Sequence, residues 1–247
     1  MGPTRTPIYR PISPLNQEAD AAARNALDNY LKWRLPAKKP QGKPRLVCGL
    51  DLGSKRDHSA LCLIESEYRI NEQTAEEEQH FICRYFRRLP LGLGYPEIVE
   101  CIAKLDLQLS VKYEREAIFV VDSTGVGFAV LNYLRKEVGE DKIKGVSITG
   151  GREASYKPKP NEHYVPKQQL VAQLQVLLQT GRLHLPNTRD SKAMQEELLQ
   201  YSLKMRGSGS PELGALKSGQ HDDLVTSCLL AVHWLTRRRT TPRVKWF

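Results

Sequence analysis

The stretch Leu46–Ile64, LVCGLDLGSKRDHSALCLI, reads as two buried β-strands, Leu46–Leu52 and His58–Glu65, joined by the tight polar turn GSKRD. It sets Asp51 inside an apolar run and Asp57 at the end of the turn. Burying an unpaired ionised carboxylate costs several kcal/mol or drives it to protonate. Asp51 therefore faces a cation, a hydrogen-bond cluster or an open cleft, or else it is a plain turn residue at a strand's end. The rest of the chain has to separate these readings.

Downstream, an acidic stretch at 72–78 precedes a third strand, His80–Arg88, and the spacing predicts an antiparallel meander. A helix follows over Pro96–Val111, with Ile98, Ile102, Leu105 and Leu109 at helical spacing. The run Ala117–Asp122, AIFVVD, then opens through STGVG into a helix over Gly127–Val138. A short continuous apolar run that ends in a carboxylate and turns into a helix marks a parallel strand buried on both faces, with its C-terminal end at a site. A further strand is expected over Ile143–Ile148, followed by a mobile loop through Pro160. The amphipathic stretch Pro166–Thr180 predicts a helix stopped by Gly181, Leu183–Leu185 a short edge strand, and Asp190–Gln200 another helix.

Between 202 and 218, SLKM, RGSGSPEL and GALKS read as a two-stranded hairpin with a Gly/Ser-rich tip, and the hairpin carries Lys204, Arg206 and Lys217. The last helix starts at His221-Asp222-Asp223 and runs on as LVTSCLLAVHWLT, apolar almost all round and so buried. The fold class is α/β. A central mixed sheet, antiparallel in its first three strands and parallel afterwards, is flanked by helices, with an extra hairpin before the last one.

The 247 residues suit one domain of ordinary size with extensions. Residues 1–45 read as a basic, Pro-rich arm with a short helix at 16–34 and a linker; residues 46–237 form the domain, and 238–247 a basic tail. No run of 18 apolar residues occurs and the N-terminus lacks an apolar signal core, so a soluble protein with no membrane role is expected. Five cysteines with no C-x-x-C spacing read as reduced core residues rather than zinc ligands. The net charge is +9, but residues 1–45 carry nine basic and three acidic side chains, and 233–247 five basic and none acidic. The middle is thus near −2, and the basic excess belongs to ends that track phosphate without reading sequence or simply keep the chain soluble.

Asp51, Asp122 and the pair Asp222-Asp223 stand at three element ends that a sheet with its first and fourth strands side by side would bring together. Converging like charges repel. A hard dication removes the conflict, since Mg²⁺ and Mn²⁺ prefer carboxylate oxygen, and two such ions about 3.5–4 Å apart can clamp the attacking and leaving oxygens of a phosphodiester. One of Asp222 and Asp223 could serve as an ordinary helix N-cap. Lys167, in YVPKQQL, is either a solvated first-turn lysine or a phosphate or carboxylate partner near the site.

From Leu46 to Thr236 the chain resembles the nuclease domain of the large terminase subunit of tailed bacteriophages, a member of the RNase H-like, or retroviral-integrase-like, superfamily. The resemblance rests on GLDLG with a second Asp a few residues on, VVDSTGVG, the VPK-helix-GRL segment, and the hairpin followed by GQHDDLVTS. It implies an Asp triad of Asp51, Asp122 and one of Asp222 or Asp223, with Asp57 as a possible extra ligand, holding Mg²⁺ or Mn²⁺, two ions in all. Adjacent helical side chains point about 100° apart, so one of the pair serves metal, with Asp223 favoured, and the other structure. Lys167, Lys204, Arg206 and Lys217 are the implied DNA-binding or auxiliary residues.

The implied reaction is endonucleolytic cleavage of double-stranded DNA in the cytoplasm of a bacterial host. The implied partners are a packaging ATPase domain, a small terminase subunit and a portal. No G-x-x-x-x-G-K-[ST] motif occurs, so packaging motor activity is not read from these residues. Two alternatives stay open: another RNase H-like nuclease such as a Holliday-junction resolvase, and a non-catalytic DNA-docking module.

Overall fold

The computed structural model describes residues 45–53, 57–71, 74, 76–124, 127–151, 153–157, 162–205, 211–215 and 222–237. The chain divides into two compact units, Met1–Lys43 with Ile70–Glu76, and Pro44–Arg69 with Glu77–Phe247. The described part of the first is a turn in which the Asn71 N–H donates to the Glu76 carbonyl at 2.8 Å and the Asn71 side chain accepts the Thr74 N–H at 3.2 Å. The helix expected at 16–34, the Pro-rich linker before Pro44 and the tail after 237 lie outside the described residues.

The second unit is built on strands β1 (Arg45–Asp51), β2 (Ala60–Ile70), β3 (Glu77–Arg88), β4 (Ala117–Asp122), β5 (Ile143–Thr149), β6 (Ser155–Lys157), β7 (Glu162–Pro166) and β8 (Leu183–His184). They lie in the order β6-β7-β5-β4-β1-β2-β3-β8. β1 runs antiparallel to β2 and parallel to β4, and β4, β5 and β7 run parallel to one another. The first and fourth strands are therefore neighbours, as the convergence of their aspartates requires.

Five helices complete the unit among the described residues: α1 (Tyr95–Tyr113), α2 (Gly127–Val138), α3 (Lys167–Gln179), α4 (Arg189–Gln200) and α5 (Asp223–Thr236). A separate two-stranded sheet of β9 (Tyr201–Met205) and β10 (Pro211–Ala215) supplies the expected hairpin before the last helix. No described helix is long and apolar enough to cross a membrane.

Alternation along β1 and β4 splits the core in two. Leu46, Cys48 and Leu50 join Phe119 and Val121 in a cluster with Ile98 and Ile102 of α1 and Leu131 and Leu134 of α2. Val47 and Val120 face the other way, into a cluster with Leu170 and Leu174 of α3, Met194 of α4 and the apolar residues of α5. The period of two carries Gly49, Asp51 and Asp122 onto this second face. Burying α5 so deeply explains why its sequence is apolar all round: every residue from Asp223 to Leu235 is buried.

The region expected as a mobile loop through Pro160 contains one short strand, β6, and a second, β7, follows directly after it. β6 pairs antiparallel with β7, and β7 adds to the parallel edge of β5. Only Tyr164 and Val165 of β7 favour a strand, too few to mark a period of two, and the pairing comes from the open backbone edge of β5 rather than from side-chain pattern. β2 also runs past Glu65 to Ile70, because its backbone continues beside β3 after its burial has ended. Of the five cysteines, Cys48, Cys62, Cys83 and Cys228 are buried free thiols and Cys101 is exposed.

Candidate functional site

Asp51 and Asp122 are the last residues of adjacent parallel strands. The register pairs Gly49 with Val120 and Leu50 with Val121, so its continuation sets Asp51 beside Asp122. Gly49 brings α5 close to this point. A Cβ at position 49 would stand 1.9 Å from the Ser227 carbonyl oxygen and 2.9 Å from the Ala231 nitrogen, so the helix backbone rests directly on β1.

Burial raises the Asp51 carboxyl well above the usual carboxylate range. The negative charges of Asp122, Asp222 and Asp223 add to the effect, and the Lys167 ammonium opposes it. Asp122 is also raised by burial, although both the hydroxyl and the N–H of Thr124 donate to its Oδ1 and, with Lys167, favour the ionised form. The Thr124 hydroxyl in turn accepts the Ile148 N–H at 2.8 Å, which ties the turn after β4 to β5.

α5 delivers its first turn to the same edge. Asp222 occupies the N-cap position, yet its side chain makes no capping hydrogen bond. Its Oδ2 lies 3.1 Å from the Nζ of Lys167, the first residue of α3, and its side chain is 35 % exposed. The Asp223 side chain is only 8 % exposed and turns to β3, where the Arg88 Nε donates to its Oδ2 at 2.9 Å. Arg88 also donates through Nη2 to Glu197 Oε1, and the Glu197 Oε2 accepts the Val225 N–H at 3.0 Å. Burial pushes the Glu197 carboxyl up to about 7, against the lowering influence of that N–H and of Arg88.

The structure thus sets Asp122, Asp222, Asp223 and Lys167 within electrostatic reach of Asp51. Asp57 sits exposed on the turn after β1, with its backbone carbonyl close against Gly53. Lys204 lies on β9 opposite Glu212, while Arg206, Lys217 and His221 lie outside the described residues. Arg88 and Glu197 were not singled out from sequence. A usable signal existed for Glu197: it follows Ser191 and Met194 at intervals of three on the buried stripe of α4. Arg88 carried none, being one of two arginines at a strand end.

By chemistry the cluster suits a hard dication, since its donors are carboxylate oxygens and Lys167 offsets only part of their charge. By geometry, no three His, Cys, Asp or Glu side chains among the described residues are gathered around a point that an ion could occupy. Lys167 and Arg88 hold Asp222 and Asp223 by salt bridges of 3.1 and 2.9 Å.

No family model matches the chain, and no curated protein matches it by sequence. Solved structures do match. The large terminase nuclease from thermophilic phage G20c with bound magnesium aligns with a TM-score of 0.50 and 22 % identity, over 78 % of this chain and 82 % of that one. The Mn-soaked human cytomegalovirus terminase nuclease domain aligns at 0.48 and 10 % identity, over 83 % and 88 %. The g2p large terminase nuclease domain of bacteriophage SPP1 with bound Mn aligns at 0.45 and 14 %, over 79 % and 88 %. The chain has the RNase H-like fold of the large terminase nuclease domains.

Proposed function

We propose that this chain is a divalent-metal-dependent endonuclease that cleaves double-stranded DNA, and that it serves as the nuclease of a viral genome-packaging terminase. The observation that carries the proposal is the convergence of Asp51, Asp122 and Asp222 from two neighbouring strand ends and one helix start, with Lys167 as counter-charge. Asp51 and Asp122 are held on rigid, buried strands, so their positions do not depend on a mobile loop.

Asp51, Asp122 and Asp222 would hold Mg²⁺ or Mn²⁺, and the bound metal would supply an activated water and stabilise charge on the phosphodiester oxygens. We assign this role to Asp222 rather than Asp223, because Asp223 is buried against Arg88 while Asp222 is the more open of the two. Asp57, on the turn after β1, is an auxiliary position at most. Thr124 keeps Asp122 oriented through two donated hydrogen bonds. Lys167 balances the carboxylates in the metal-free chain and is placed to meet a phosphate once a metal has taken Asp222. The bound magnesium of the phage G20c nuclease supports the choice of metal.

Lys204, Arg206 and Lys217 on the hairpin, together with the basic ends, would grip the DNA backbone without specifying bases. A packaging ATPase domain, a small terminase subunit and a portal would supply targeting, in the cytoplasm of an infected bacterium.

The test is plasmid cleavage in Mg²⁺ or Mn²⁺, with Mn²⁺ binding measured by calorimetry. Asp51→Ala and Asp122→Ala should lose both activities and keep the far-UV circular dichroism of the wild type. Undiminished cleavage in excess chelator, or in both variants, would sink the proposal. A second reading, a DNA-docking module without catalysis, draws on the salt bridges that already hold Asp222 and Asp223. It requires duplex binding with no hydrolysis in any metal.

A further inference from the structure

The first turn of α5 is capped from outside its own chain segment. An α-helix begins with N–H groups that have no partner within it, and an aspartate at the N-cap normally accepts one of them with its side chain. Asp222 holds that position without doing so, and the Val225 N–H donates to the Glu197 carboxylate on α4 instead, at 3.0 Å. The second oxygen of Glu197 accepts from Arg88 of β3, whose Nε reaches back to Asp223 at 2.9 Å. One planar guanidinium joins the two carboxylates, a fork geometry that a lysine does not reproduce. Glu197 and Asp223 are both buried, so each needs this partner in place.

A capping carboxylate is tied to the amides of its own helix. Because α4 provides the cap, the Asp222 carboxylate is left to lie 3.1 Å from Lys167 instead, near enough to Asp51 and Asp122 to act on both. We propose that Glu197 and Arg88 are positioning residues of the site: they cap and anchor the first turn of α5 from neighbouring elements and so turn the Asp222 carboxylate toward Asp51 and Asp122. This inference rests on the metal-binding role proposed for Asp222.

The experiment uses the full chain and Mn²⁺ alone as probe. Calorimetric Mn²⁺ affinity and amide hydrogen exchange at Val225 are measured for the wild type, Glu197→Ala and Glu197→Gln. In Glu197→Ala, Mn²⁺ affinity should fall about tenfold or more, the range for residues that orient metal ligands. Exchange at Val225 should quicken by a similar factor, with the amides of β1 and β4 unchanged. Glu197→Gln keeps one acceptor oxygen and should lose less in both readings; if Glu197→Ala does not fold, this variant decides alone. Faster exchange at Val225 with wild-type Mn²⁺ affinity would reduce Glu197 to a stabilising cap and overturn the positioning role. Wild-type values in both readings would overturn it as well. Absence of Mn²⁺ binding by the unaltered chain would overturn the metal reading of Asp222, and the positioning role with it, whichever way the Val225 exchange falls.

Discussion

The Nζ of Lys167, at the start of α3, stands 3.1 Å from the Oδ2 of Asp222, at the start of α5. The contact joins two helix N-termini near the ends of β1 and β4, and it places the cluster's counter-charge beside the more open carboxylate of the Asp222-Asp223 pair. In the metal-free chain this ammonium occupies the role that a dication is proposed to take. Lys167→Met should therefore destabilise the protein in chelator by roughly 1 kcal/mol, the scale of a partly exposed ion pair. Saturating Mn²⁺ should erase most of the difference. Thermal unfolding with and without Mn²⁺ reads both quantities, and a deficit that persists unchanged in metal would argue against the exchange.

Asp51 is the carboxylate most penalised by its surroundings, through burial first and then Asp122, Asp222 and Asp223. Asp51→Asn removes the buried charge and keeps the shape, so the melting temperature in chelator should rise while cleavage is lost, the trade expected where a site is built against stability. The Mn²⁺-induced rise in melting temperature should vanish in this variant. An undiminished Mn²⁺ effect would remove Asp51 from the metal set.

Burial pushes the Glu197 carboxyl up from 4.5, the ordinary glutamate value, to about 7, with the Val225 N–H and Arg88 opposing the rise and the charges of Asp223 and Asp222 adding to it. Between those two values the folded state holds a proton that the unfolded state has released. Its contribution to stability is therefore largest below about 4.5 and is lost as pH rises toward 7. His163 and His233, lowered to about 4 by burial, act in the opposite direction between about 4 and 6.5. The sign must be read from the difference between wild type and Glu197→Gln in urea unfolding with chelator. That difference should shift in favour of the Gln variant as pH rises from 4.5 to 7, and a pH-independent difference would contradict the assignment.

Gly49→Ala should be among the most damaging single-methyl additions in the chain. The new Cβ meets backbone on α5, at 1.9 Å from the Ser227 oxygen, and neither β1 nor the helix can yield by a rotamer change. A loss of about 3 kcal/mol or more is expected. Because the same contact seats α5, which begins beside Asp222, on β1, which ends at Asp51, surviving folded protein should bind Mn²⁺ more weakly. Wild-type stability in denaturant would show that the helix has room to move.

Much of this arrangement is legible along the chain because it rests on local signals. An apolar run interrupted by Asp51, a buried strand that stops at Asp122 and a wholly apolar helix preceded by Asp222-Asp223 are patterns of period and composition, and each survives into the structure. β7 was hidden because a five-residue strand between β5 and β6 is held by backbone pairing, which leaves little trace in side-chain type. Arg88 and Glu197 were hidden for a related reason. They act on α5 from β3 and α4, 135 and 28 residues away from the groups they bind, and separation of that kind has no periodicity to read.

Sequence alone thus identified the α/β class, the adjacency of the first and fourth strands as a requirement, and the carboxylates that would need a cation, all consequences of what it costs to bury charge in an apolar run. Which of two adjacent aspartates is open and which is buried was decided only by the tertiary structure. Asp222 and Asp223 are the N-cap and first residue of one helix, and their sequence does not say which of them is buried. The contact of Gly49 with the helix backbone, the reach of Arg88 to Asp223 and the cap supplied by Glu197 set how α5 lies on the sheet. That placement leaves Asp222 beside Lys167, across from the strand end where Asp51 first stood out.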